Sequence, residues 1–231
     1  MNQFKAPILA CGHSHLSCLN AALAQKKDLN HIKTVCLGKK SRLVNQEDIK
    51  SALNFNNFNP QYIFLSLHGN YHNAFSLIEN PKKFYFGDFD CETQNRHFIP
   101  SSMVKKHFET LLHKTFDLLI FFKSLFESKS IIFITPPPPI PDPSHLIKYP
   151  GSFKARIHQG IMPKELRLDS YKIQTSITKT FCLENDIAIL QPPEDAINSE
   201  GFLKMEYANQ DPTHGNILYG QKVLSQIINW K

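Results

Sequence analysis

Five short apolar runs recur along the chain, at 7–11, 33–37, 62–67, 131–135 and 187–190. Each has the length of a strand, and most are apolar on both faces. That is how strands read in a parallel sheet covered on both sides. Parallel neighbours also need crossover connections, usually helices. Helical patterns fill the gaps. The 15–25 pattern carries Leu16, Leu19, Ala22 and Leu23. The 102–127 pattern carries Val104, Phe108, Leu111, Leu112, Leu119 and Phe122, with Ser101 or Ser102 as its N-cap. The 164–184 pattern carries Leu168, Tyr171, Ile177 and Phe181, and the 215–230 pattern carries Leu218, Val223, Leu224, Ile227 and Ile228. The alternation predicts an α/β fold, an open doubly wound sheet with helices between its strands. Ligands of such sheets bind beyond the carboxyl ends of the strands.

Three polar clusters fall at that edge. Gly12-His13-Ser14-His15 follows the first run, Gly69-Asn70 follows the third, and Asp211-Pro212-Thr213-His214 follows the fifth. Nucleophilic acyl transfer requires this composition. A serine hydroxyl attacks only when a base takes its proton, and a carboxylate fixes the histidine tautomer. The oxyanion needs preorganised donors. The unpaired N–H groups of a helix start at Ser14, and the side-chain amide of Asn70, are candidates.

These blocks, in this order, resemble the SGNH (GDSL-like) hydrolases. The segment GFLKMEYANQDPTHGNILYGQKVL, 201–224, is similar to the C-terminal part of bacterial members. The resemblance implies a three-layer α/β/α sandwich around a flavodoxin-like parallel sheet of about five strands. It also implies that Ser14 is the nucleophile, His214 the base and then acid, and Asp211 its orienting carboxylate. Asn70 and the Ser14 backbone N–H would form the oxyanion hole, with Gly38 as a further backbone donor. Two departures stand out. His13 replaces the usual Asp beside the serine, and Tyr71, not Asp, follows Gly69-Asn70. The expected substrate is a small acyl ester, with carbohydrate-linked esters favoured by the C-terminal likeness. Transfer of the acyl group to a sugar is the neighbouring alternative.

Each block also has a plainer reading. Gly-x-Ser at a strand end is commonly a turn, and so is Gly69-Asn70. Asp211-Pro212 makes a good N-cap followed by proline at the first helical position, which would leave His214 incidental. Cys11 reads as part of a buried strand end and Cys18 as a core or surface thiol. His13, His15, His68, His72 and His214 are many imidazoles for one edge, so a metal-dependent hydrolase competes. The order of the blocks is wrong for the calcineurin-like metallophosphoesterases, and the expectation is no metal and no cofactor. His13, His15 and His72 are then pocket-lining residues. A non-catalytic binding protein is the third class.

Composition narrows the rest. The chain has 231 residues, 42% hydrophobic and 20% charged, and reads as one domain, 1–231, with an ordinary globular balance. The net charge of +6 comes from scattered lysines whose runs are pairs, such as Lys26-Lys27 and Lys39-Lys40, so a nucleic-acid partner is not expected. Five cysteines without a CxxC pair, and no signal-peptide h-region, favour a reduced, cytoplasmic setting. The apolar stretch 116–126 is interrupted by Asp117 and Lys123, which predicts a buried helix and no membrane partner. Segment 135–163 holds four consecutive prolines and favours polyproline II. It reads as a stiff loop over the site edge in preference to a PxxP ligand.

Overall fold

The structure, a computed structural model, describes residues 6–26, 28–38, 45–53, 58–67, 69–87 and 95–230. Strand β1, Ile8–Gly12, leads into helix α1, Leu16–Ala24, and then β2, Ile32–Cys36. Helix α2, Gln46–Leu53, precedes β3, Tyr62–Ser66, and α3, Tyr71–Ser76. Two two-residue strands, β4 at Phe84–Tyr85 and β5 at His97–Phe98, pair with each other in a small separate sheet. Then come α4, Ser101–Leu125, β6, Ser130–Ile134, α5, Pro143–Lys148, α6, Lys164–Glu184, β7, Ala188–Leu190, and α7, Ile217–Ile228.

The main sheet has the order β2-β1-β3-β6-β7, and every pair in it is parallel. Its strands bury both faces. Ile8, Ala10, Phe64 and Ile132 pack with Leu16 and Leu19 of α1 and with Val223, Leu224 and Ile227 of α7. The intervening Leu9, Cys11, Ile63, Leu65 and Phe133 pack with Ile49 of α2, Leu119 and Phe122 of α4, and Cys182 of α6. The three-layer α/β/α arrangement follows from this period-2 alternation. The strand order reverses at β1 and β3, which lie side by side, so the crevice for a ligand opens beyond Gly12 and Ser66.

Two features set the walls of that crevice. Helices α1 and α7 touch through backbone, because a Cβ on Gly220 would lie 2.0 Å from the Cys18 carbonyl oxygen. The second feature is the proline segment. Pro136–Pro139 are buried and so cannot serve as an exposed PxxP ligand. Proline has no N–H, so this run presents acceptors without matching donors. Other elements supply them. Tyr171 Oη donates to Pro136 O (2.9 Å), and Leu203 N donates to Pro139 O (3.2 Å). Arg167, 1% exposed, donates to Ile140 O, Pro141 O and Met162 O. Burial pushes this guanidinium down to about 10, still charged at neutral pH.

The sequence reading errs in places. Neither Ser101 nor Ser102 caps α4; Pro100 occupies that position, and the Ser101 hydroxyl accepts the Gly87 N–H (3.1 Å) instead. The last helix starts at Ile217, and its N-cap is Asn216, whose side chain accepts from Leu218 N and Tyr219 N. The N-cap reading of Asp211 is therefore corrected. Helices α2, α3 and α5 and the β4–β5 pair were not anticipated, being short elements whose apolar period is too brief to register.

Two stability predictions follow from these contacts. Gly220→Ala forces a methyl into backbone that cannot yield, and urea unfolding should show a loss of about 1–3 kcal/mol. Arg167→Met leaves three carbonyls without their donor. Since an unsatisfied buried group costs about 1–3 kcal/mol, the loss on urea unfolding should be at least about 2 kcal/mol.

Candidate active site

The turn after β1 is dictated by contact with β3. Gly12 lies so close to β3 that a Cβ there would be 2.3 Å from Ser66 O. The His13 N–H donates to that same carbonyl (2.9 Å), and α1 begins three residues later. Ser14 is exposed at this corner. Its hydroxyl and its backbone N–H have no partner among the described residues. His13 is half-buried, and its ring faces Gly38, which follows β2 with φ +110°.

Asp211 and His214 occupy the tip of a tight hairpin. The Ala208–Gly215 bridge and the Asn209 N–His214 O bond (3.0 Å) close its base. Asp211 Oδ1 accepts from Thr213 N (2.8 Å), His214 N (2.9 Å) and His214 Nδ1 (2.9 Å), while Oδ2 accepts from Asn209 Nδ2 (2.7 Å). Burial alone would raise this carboxyl. The bonds from the His214 ring and from the two backbone N–H groups outweigh it and hold the group well below the usual carboxylate range. A carboxylate only accepts, so Nδ1 of His214 carries the proton and Nε2 keeps its lone pair. That nitrogen is buried and has no hydrogen-bond partner among the described residues. His145 of α5 braces the hairpin from outside through Asn209 O (2.9 Å) and Asp211 O (3.2 Å).

Asn70 precedes α3 but does not cap it with its side chain. Its amide turns across the crevice. Oδ1 accepts from His15 Nε2 (2.9 Å) and Asn73 Nδ2 (3.3 Å), and Nδ2 donates to Thr213 Oγ1 (3.3 Å). The Thr213 hydroxyl lies in turn 3.1 Å from His214 Nδ1. The His15 ring stands 4.5 Å from the His214 ring, centroid to centroid. The first, third and last polar blocks thus meet at one end of the sheet. No hydrogen bond joins Ser14 to His214; catalytic bonds are often long before substrate binds.

The remaining histidines divide. His72 is 1% exposed. It is buried between α3 and α6, its backbone N–H and Nδ1 both directed at Gln174 Oε1 (2.7 and 3.2 Å), its ring edge-on to Tyr171. The Gln174 amide also donates to Gly69 O (3.2 Å), so this core pair steadies the turn that presents Asn70. His68 lies outside the described residues. Among the described residues no three His, Cys, Asp or Glu side chains are grouped to hold a metal ion. Cys11 is buried, and burial pushes its thiol and that of Cys18 up, so neither is a ready thiolate. A groove of about 450 Å³ runs along β6, β7 and α6, lined by Thr135, Pro136, Gln174, Lys179 and Gln191 among others; Ser14, Asn70, Asp211 and His214 do not line it. The sequence pattern missed Gln174 and Thr213, whose polar atoms connect the blocks.

Comparison with solved structures identifies the architecture. A Streptococcus pneumonia protein described as a platelet activating factor superposes with TM-score 0.57 at 12% identity, over 100% of this chain and 86% of that one. A GDSL-like lipase from Bacteroides thetaiotaomicron gives 0.50 at 11% identity, over 96% and 86%. The chain has the GDSL-like hydrolase fold. The periplasmic domain of a lipopolysaccharide acetyltransferase from Salmonella ser. Paratyphi A shares that fold at TM-score 0.50 and 12% identity, over 98% and 84%. No family model matches the chain, and no curated protein matches it in sequence. No helix among the described residues is long and apolar enough to cross a membrane.

Burial makes the GDSL-like core pH-sensitive. Desolvation lowers His15 to about 3 and His72 to about 4. Between about pH 4 and 6.5 the unfolded chain binds protons that these folded imidazoles refuse, so stability falls as pH falls. The slope should be on the order of 1 kcal/mol per pH unit for each group. Urea unfolding from pH 7 to 4 measures it, and His72→Gln should fall less steeply than the wild type.

Proposed function

We propose that the protein is a serine acyl-ester hydrolase acting on small acyl esters, with carbohydrate-linked esters as the favoured class. One observation carries this reading. His214 has the tautomer of a general base, fixed by the Asp211 carboxylate, and its ring lies against that of His15, next in the chain to an exposed serine whose hydroxyl and N–H have no partner among the described residues.

In this mechanism Ser14 Oγ attacks the ester carbonyl carbon while His214 Nε2 takes the hydroxyl proton. The oxyanion is stabilised by the Ser14 N–H, by the Asn70 N–H not committed to Thr213, and by the backbone N–H at Gly38. His214 then returns the proton to the departing alkoxide oxygen as the C–O bond breaks, leaving an acyl-serine. Water attacks the acyl carbon, gives its proton to His214, and the carboxylic acid leaves as Ser14 recovers the proton. Asp211 stays ionised throughout and stabilises the imidazolium. The shared fold with an acetyltransferase domain supports a second reading, in which a sugar hydroxyl replaces water in the last step.

The test is labelling with a fluorophosphonate probe, mapped by mass spectrometry. A single adduct on Ser14, absent from Ser14→Ala, is the expected result. Turnover of p-nitrophenyl acetate should fall by on the order of 10⁴–10⁶ in Ser14→Ala, with the fold intact. Asp211→Asn should lose about 10⁴-fold through the wrong histidine tautomer. An unlabelled but folded protein, or turnover unchanged in Ser14→Ala, would refute the serine mechanism. Product formation only on adding a sugar acceptor would select transfer over hydrolysis.

A further inference from the structure

The residue after the serine is a histidine, and the hydrolytic scheme above gives it no task. We propose that His15 is a positioning residue: lodged between Asn70 and His214, its ring holds the Asn70 amide in the orientation that presents an N–H to the oxyanion. This rests on the assignment of Ser14, His214 and Asn70 in the proposed function.

Three observations carry it. First, His15 Nε2 lies 2.9 Å from Asn70 Oδ1. That oxygen only accepts, so Nε2 is the protonated nitrogen and Nδ1 is bare. With Oδ1 held by His15 and also by Asn73 Nδ2, the amide cannot rotate without breaking both bonds, and its NH₂ group is turned to the Thr213 side, where Asp211 and His214 lie. Second, the ring has no slack. A Cβ on Gly69 would meet its Cδ2 at 3.1 Å and its Nε2 at 3.2 Å, so glycine beside Asn70 admits the imidazole. The other face of the arrangement is the His214 ring at 4.5 Å.

Third, the bare Nδ1 is buried and has no hydrogen-bond partner among the described residues. Protonation there would leave a buried cation against the imidazolium that His214 becomes during reaction. Burial and then His214 keep His15 down to about 3. The other titratable groups that act on it are His72 of α3 and Asp211 of the hairpin. His15 is thus a neutral, fixed donor at neutral pH, and it is not a second base.

The experiment is a double-mutant cycle on p-nitrophenyl acetate hydrolysis. His15→Phe keeps a ring but loses the donor, and kcat should fall at least tenfold with KM changed less than threefold. His15→Gln places an amide N–H near the original Nε2 and should recover most of that loss; it also serves if the Phe variant does not fold. The decisive comparison adds Asn70→Ala. If His15 acts through Asn70, His15→Phe costs less than twofold in the Asn70→Ala background. Additive losses, or equal kcat for wild type and His15→Phe, would overturn the proposal while fluorophosphonate labelling of wild-type Ser14 leaves the serine mechanism standing. A folded wild type without label and without turnover would remove both.

Discussion

Everything at the reactive edge depends on how closely β1 approaches β3. Gly12 is pressed onto the Ser66 carbonyl, and the next N–H closes on that same oxygen. A side chain at Gly12 would part the two strands at the place where the sheet changes direction. Because they stay together, the turn after β1 and the turn after β3 lie side by side. Serine and His15 come from one turn and asparagine from the other. The hairpin after β7 then has only to reach over this pair.

The site is held by polar groups taken out of water, and each is held by a different device. Asp211 is satisfied by bonds from within its own hairpin, so its charge survives partial burial. The imidazoles of His15 and His72 survive burial by remaining neutral. Arg167 survives by donating to the carbonyls of Ile140, Pro141 and Met162. These are unlike solutions to one problem, and together they hold the backbone at 140–141, the Gly69 turn and the 208–216 hairpin. The resulting rigidity suits oxyanion stabilisation, which depends on donors that do not reorganise.

Much of this was legible in the sequence. The five runs of the main sheet and its long helices announce themselves, since strands apolar on both faces have few places to go. The Asp-x-x-His spacing leaves a local mark too, because a carboxylate three residues before a histidine reaches its Nδ1 within one tight turn. Other features leave no local mark. A buried Arg167 has the same letter as a surface arginine, and only the donor deficit of the prolines hints at it. His15 resembles a pocket ornament until Asn70 is found opposite its Nε2. Ser101 looks like a helix cap until Gly87 is seen to occupy its hydroxyl. In each case the deciding partner lies far along the chain, where propensity and period carry no information.

The pairing of α1 with α7 has a consequence for synthesis. Gln25 and Gln221, which bond across this pair, are 196 positions apart. A growing chain makes Leu16 and Leu19 early and must keep them uncovered until Val223 and Leu224 emerge. Translation proceeds at about 5–20 residues per second, so that apolar stripe waits many seconds for its cover. The hairpin with Asp211 and His214 arrives in the same late stretch. The Ser14 corner therefore meets Asp211 and His214 only when the molecule closes on itself, and a ribosome-bound fragment holds the two apart.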